Sequence, residues 1–191
     1  MRKTVPTLKP DSLALSLLAA AQAVAAVEDG MALPQALAQT AARFHLTPQA
    51  RGAMQDLAYR TLRQLGRAEA LLGAMTQKKP EPALLHGLLC CALALLSDPA
   101  GPAYDAFTLV DQAVDAAASD LTVAHAKGMV NAVLRRYLRE AEPLLAEVLR
   151  KPAAQWNYPS WWIESTKAAY PQRWQAILQA GNSAPPMTLR V

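Results

Sequence analysis

The sequence predicts an all-α protein, a helical bundle, and three observations lead there. Apolar residues make up 52% of the 191 positions but aromatics only 6%, alanine and leucine supplying most of the remainder. Such unbranched side chains lose little rotamer freedom in a helix, and the β-branched residues that favour strands are scarce. Apolar residues also recur three and four positions apart through most of the chain, and no alternating run of useful length exists. Capping and stop signals punctuate the pattern at helix-length intervals. A parallel sheet is excluded on these grounds. The length suits one ordinary domain with a short appendage.

The elements follow in order. After a polar leader over residues 1–11, Ser12 is placed to cap a first helix that runs to about Glu28 and stops at Asp29-Gly30. The basic start (Arg2, Lys3, Lys9) and the apolar stretch Leu13 to Ala21 imitate a secretory signal. However, Pro10 and Asp11 interrupt it, and Leu13, Leu17, Ala20, Val24 and Val27 continue one stripe beyond the apparent cleavage point, as expected of a core helix. A short helix over about Leu33 to Arg43 follows. Thr47-Pro48 is a strong start signal for a third, expected to run unbroken to about Leu72 with Met54, Leu57, Ala58, Thr61, Leu62, Leu65 and Leu72 on its apolar side.

Beyond the loop Lys78 to Pro82, the stretch Ala83 to Leu96 is apolar nearly all round and should be the central, most buried helix. Ser97 to Pro102 is a loop. Helices over Tyr104 to Ala118 and Thr122 to Glu140 come next, divided by Ser119-Asp120, and a shorter one over Pro143 to Leu149 completes the bundle. From Lys151 the composition changes: all four tryptophans and five of the prolines fall in the remaining residues. Helical stretches are expected there at Ser160 to Ala169 and Gln172 to Ala180, with 183–191 a loop entering an extended segment. No run is long and apolar enough to span a bilayer.

Groups able to do covalent chemistry are sparse. Cys90 and Cys91 are adjacent in a helix, where disulfide geometry is out of reach, and read as small buried hydrophobes in a reducing, cytoplasmic compartment. His45, His86 and His125 lie far apart along the chain and none neighbours a second ligand at metal-binding spacing, so no metal is expected. The eight glycines are scattered, leaving no strand-to-helix turn to hold a nucleotide or an adenosyl cofactor. No active site is visible, and no cofactor is expected in this chain.

The basic residues are better organised. Net charge is +4, which suits a polyanionic partner without requiring one. At about 100° per residue, Val123, Val130, Val133, Leu134 and Tyr137 take the core side of the helix from Thr122, while Arg135, Arg136 and Arg139 project oppositely, with Lys127 and Asn131 at the border. Arg60, Arg63 and Arg67 form a second stripe on the third helix. Arginine forks match phosphate geometry and stack on bases, so both stripes are candidates to track an RNA backbone. The plain alternative is two solvated faces. Gly128, costly inside a helix, suggests a close helix contact. Asn131 should bond a neighbouring loop backbone in preference to RNA. Trp156, Trp161, Trp162 and Trp174 are base-stacking platforms or, more in keeping with so short a segment, packing groups.

Lys127-Gly128-Met129-Val130-Asn131-Ala132-Val133-Leu134-Arg135-Arg136 closely resembles the Lys-Gly-Phe-Val-Asn-Ala-Val-Leu-Arg-Arg signature of the NusB-like domain of RsmB ribosomal RNA methyltransferases. Leu57-Ala58-Tyr59-Arg60-Thr61-Leu62-Arg63 is similar to that family's Tyr-Gly-Thr-Leu-Arg run, with Arg60 where glycine is usual. Val110-Asp111-Gln112-Ala113-Val114 fits the helix before the signature. Tyr158-Pro159-Ser160-Trp161-Trp162, Tyr170-Pro171 and the segment Pro185 to Val191 resemble the family's connector, which a free-standing NusB factor lacks.

The resemblance implies a NusB-like RNA-binding domain over 12–150 and a connector over 151–191 leading to a catalytic domain absent from this chain. The full-length enzyme would transfer methyl from S-adenosylmethionine to cytosine C5 of 16S ribosomal RNA. Partners implied are ribosomal RNA and the C-terminal methyltransferase domain; the chain alone is expected to be inactive. Neither Cys90 nor Cys91 matches the family's catalytic cysteines. The alternatives are a transcription antitermination adaptor and a structural docking bundle.

Overall fold

The computed structural model describes residues 7–101 and 103–185. Its helices are α1 (Leu13–Glu28), α2 (Leu33–Arg43), α3 (Pro48–Arg63), α4 (Leu65–Met75), α5 (Ala83–Leu96), α6 (Ala106–Ala118), α7 (Lys127–Val148), α8 (Pro152–Trp156), α9 (Ser160–Ala169) and α10 (Trp174–Asn182), with a short 3₁₀ turn at Ala124–Ala126. Among the described residues there is no strand, and no helix is long and apolar enough to cross a membrane. The extended segment expected near the C-terminus lies, from Pro186 on, outside the described residues.

Two helices make the centre. α5 is buried from Leu84 to Leu95 without a break, as its all-round apolarity requires. α1 lies against it, packed also on α2, α3 and α6. The alanines of α1 explain how closely the pair approaches: Ala19, Ala20, Ala21 and Ala23 are wholly buried, and α5 offers Gly87 to the Ala21 carbonyl. A β-carbon on Gly87 would lie 2.6 Å from that oxygen, so only glycine permits this spacing. The Ser12 hydroxyl accepts from the Leu15 N–H, and Gly30 at φ +95° ends α1, both as the sequence requires.

The expected single helix from Pro48 to Leu72 is two. It breaks at Gln64, whose φ of −111° and ψ of 10° leave the helical region. Tertiary contacts hold the break open. Asn157, in the left-handed conformation after α8, accepts from the Arg67 N–H at 2.8 Å and donates to Gln64 Oε1 at 3.2 Å. It thereby satisfies a donor in the first turn of α4 that has no partner within its own helix. Gly66 lets the Ala153 backbone press against α4 where a side chain would collide. Through these contacts α8, which the sequence reading missed, fastens the start of the 151–191 segment to the bundle.

α7 also differs in extent. The Asp120 carboxylate accepts from the Thr122 N–H at 2.8 Å, so the chain turns there and then forms the 3₁₀ turn before the helix starts at Lys127. At the other end the helix is interrupted at Glu140, whose φ of −121° and ψ of 22° are not helical, so the stretch beyond it to Val148 is the separate shorter helix expected there. Pro143 is the cause: it has no N–H to return to the Arg139 carbonyl, and its ring crowds that turn. α6 begins at Ala106, with the Asp105 carboxylate accepting from the Thr108 N–H at 2.9 Å.

Candidate nucleic-acid interface

The core side of α7 is as read from the sequence: Val123, Val130, Val133, Leu134 and Tyr137 are all buried. The outward residues then divide by partner. Arg136 donates to Glu140 at 3.0 Å and leans toward the Met75 carbonyl at the end of α4. Lys127, Arg135 and Arg139 are exposed and form no ion pair among the described residues. Gly128 and Ala132 lie exposed between them. The expected close helix contact at Gly128 is not seen, since among the described residues nothing outside its own turn lies within 4 Å of where its β-carbon would be. This helix face is therefore low and cationic.

The α3–α4 stripe is less available. Arg60 donates to Asp56 at 2.8 Å and reaches Asp98 at 3.6 Å; the Asp56 bond above all holds its pKa above the usual value. Arg67 falls after the helix break and turns inward. Its Nη1 donates to the Ser97 carbonyl at 3.2 Å, a cation at the C-terminal end of α5 where helix carbonyls lack partners. Burial lowers its pKa, and its Nε is buried without a partner among the described residues. The expectation of an exposed three-arginine stripe thus fails at Arg67, because the stripe was drawn on one continuous helix. Arg63 lies 5.7 Å from the Tyr59 ring, half-buried and without an ion pair among the described residues.

Between α6 and α7 runs a cleft of about 280 Å³ edged by Phe107, Asp111, Asn131 and Arg135. Phe107 is 74% exposed. Asn131, expected to bond a loop backbone, is half-buried and takes no part in the side-chain hydrogen bonds found among the described residues. No sequence signal marked Phe107; α6 reads as an ordinary amphipathic helix until its packing leaves that side chain uncovered.

A different cluster was invisible to spacing along the chain. Glu28, Glu69 and His86 bring one ligand atom each within 4.8 Å of one another, on three separate helices. Lys79 already sits 3.3 Å from Glu28 and balances part of the charge. His86 Nδ1 is 3.3 Å from Glu28 Oε2, yet burial holds its pKa below the usual value. Burial first, then Glu28, raises that of Glu69. Cys90 Sγ lies 3.7 Å from His86 Nε2, a thiol beside an imidazole. They do not form a reactive ion pair, because the same burial pushes the Cys90 thiol up while it pushes the imidazole down. Cys91 is fully buried and its thiol is raised to about 12.

In the tail, Trp156 and Trp174 meet edge-to-face at 5.0 Å, and the Asn182 amide donates to the Trp156 carbonyl at 2.7 Å. Trp161 and Trp162 remain 66% and 44% exposed. The aromatics thus split between packing within the segment and an open face.

Taken together, these features define a helical bundle domain with an exposed cationic face on α7 and exposed aromatic side chains on α6 and α9. Residues 14–139 match the model of the NusB family, and the chain belongs to that family. Residues 158–191 match a second model, the Methyltr_RsmF/B-like ferredoxin-like domain. Relatives named ribosomal RNA small subunit methyltransferase B include one from Vibrio cholerae, 37% identical over 176 residues, covering 91% of this chain and 39% of the relative. One from Pseudomonas putida is 39% identical over 181 residues with the same coverages. One from Pasteurella multocida is 34% identical over 197 residues, covering 100% of this chain and 42% of the relative. The chain therefore spans about two-fifths of the length of the curated relatives it matches.

Proposed function

We propose that this chain is the ribosomal RNA recognition module of a small-subunit RNA cytosine-5 methyltransferase, with the face of α7 carrying Lys127, Arg135 and Arg139 as its phosphate contact. The observation that carries the reading is that these three cations form no ion pair among the described residues and flank the small residues Gly128 and Ala132, so a polyanionic backbone can approach closely. Arg60, Arg67 and Arg136 have carboxylate or carbonyl partners and contribute less; Arg63 stands at the margin. The relatives' names support the class of RNA. Methyl transfer would draw on S-adenosylmethionine, and the described residues of this chain do not fit that group: no glycine-rich turn opens any of these helices, and both cysteines are buried and protonated. The module recognises and positions RNA, and the chemistry belongs elsewhere.

The test is binding of a small-subunit ribosomal RNA hairpin as a function of salt. Each phosphate contact contributes roughly 0.7 to 0.9 to the slope of log K against log salt. Replacing Lys127, Arg135 and Arg139 by alanine should flatten that slope by roughly 2. An unchanged slope and affinity would overturn the reading.

A second role coexists with this one in the tail. Exposed Trp161, Trp162 and Tyr170 lie on α9 and its C-terminal boundary, inside the stretch that matches the ferredoxin-like model. We read that face as packing against further parts of such a domain, which accounts for large aromatics left open to water.

A further inference from the structure

Resting on the RNA reading above, we infer that the α6–α7 cleft is a pocket for one unstacked nucleobase of the bound RNA. A base taken out of its helix needs an aromatic or guanidinium plane to lie against and polar groups at its edge. The cleft offers each of these. Phe107 stands 74% exposed at its rim, with no neighbouring aromatic within stacking range among the described residues. The floor is aliphatic, made by Val110, Val114 and Leu138.

The polar edge is equally open. Asn131 supplies an amide with both a donor and an acceptor, and neither is used within the described chain. Asp111 takes the Gln112 amide on Oδ2 at 3.3 Å, leaving Oδ1 to accept from a ring N–H or an exocyclic amine. Arg135 lines the same cleft yet forms no ion pair with Asp111. A cation and a carboxylate that share a cleft without joining leave a donor and an acceptor presented separately, which suits a base edge better than an aliphatic peptide side chain.

The cleft also adjoins the phosphate track. Asn131 and Arg135 are one turn apart on α7, and Lys127 is one turn before Asn131, so the same row runs from cleft to cationic face. A nucleotide whose phosphate lies over Gly128 and Ala132 is thus beside the row whose Asn131 and Arg135 line the cleft. Gly128 lacks any internal neighbour that would explain its missing side chain; the close approach of an RNA backbone explains it.

The experiment measures affinity for a fluorescein-labelled small-subunit RNA hairpin with an unpaired loop, using the full chain and two variants. Phe107→Leu keeps apolar bulk but removes the stacking plane; Phe107→Tyr keeps the plane. Leucine should weaken binding roughly 5- to 150-fold, the range for loss of one base–aromatic stack, with the salt slope unchanged because no phosphate contact is lost. Tyrosine should restore binding to near the parent level. Both variants alter an exposed side chain and should melt with the parent. Parent-like RNA binding by Phe107→Leu, while the Lys127, Arg135 and Arg139 triple variant still flattens the salt slope, would overturn the pocket, assign Phe107 to a protein contact and leave the RNA reading standing. Absence of RNA binding by the parent chain would remove both.

Discussion

Substituting alanine for glycine at two helical positions should move stability in opposite directions, because the same added methyl meets backbone at one and open space at the other. At Gly87 the new carbon would stand 2.6 Å from the Ala21 oxygen and 3.3 Å from its carbonyl carbon. Both belong to the backbone of α1, so no side-chain rotation relieves the clash. Non-bonded carbon contacts settle at about 3.5 Å or beyond, so α1 and α5 must separate by roughly 0.5–1 Å, and the packed neighbours on both sides lose contact. Overpacking of this kind costs about 1–3 kcal/mol, of which relief of glycine's helix penalty returns at most about 1 kcal/mol.

With that full offset the net loss at Gly87 is still up to about 2 kcal/mol, lowering Tm by as much as roughly 8 °C for a chain of this size. At Gly128 nothing lies within 4 Å, and the substitution should raise stability by up to about 1 kcal/mol. Urea titration followed by far-UV circular dichroism gives both values, as shifts in midpoint at constant m. A Gly87→Ala variant as stable as the parent would refute the account of the α1–α5 contact. If Gly128→Ala is stabilised but binds RNA less tightly, the open glycine serves a ligand rather than the fold.

Three further outcomes are expected. Asn157→Ala should lose the two bonds that bridge the α3–α4 break, at about 0.5–1.5 kcal/mol for each bond, and hydrogen exchange should report earlier opening of residues 151–182; unchanged protection there would contradict the bridging role. Arg67→Met should leave the salt slope of RNA binding unaltered, since the guanidinium is engaged with Ser97, whereas Arg139→Ala should reduce that slope with stability unchanged; an equal effect of the two on binding would place Arg67 at the interface after all. The third concerns pH. His86 has a folded pKa below its usual 6.5, so as pH falls through that value the unfolded chain takes up the proton first and stability declines. Glu69 has a folded pKa above its usual 4.5, so the folded state gains its proton first and opposes the decline down to about that pH. Glu69→Gln should therefore steepen the fall in Tm between pH 6.5 and 4.5, and a shallower profile in the variant would refute the assignment.

The sequence by itself determined the helical class, the run of the main helices apart from the α3–α4 break and α8, and their inner faces. Those depend on period, propensity and caps, which are local: Ser12, Thr47 and Gly30 mark ends wherever the helices finally lie, and the valines of α7 face inward because neighbours at three and four residues share a side. It also named the family, through ten consecutive residues of α7. What only the tertiary structure decided is which outward residues remain free. Arg60, Arg67 and Arg136 looked equivalent to Arg135 and Arg139 because a helical projection carries no information about carboxylates or carbonyls arriving from other helices. The break at Gln64 was invisible for the same reason, since it is held by Asn157 from 93 residues further along the chain. Likewise Glu28, Glu69 and His86 meet, and Phe107 stays uncovered, through the packing of separate helices, a property of distances in space that spacing along a chain does not encode.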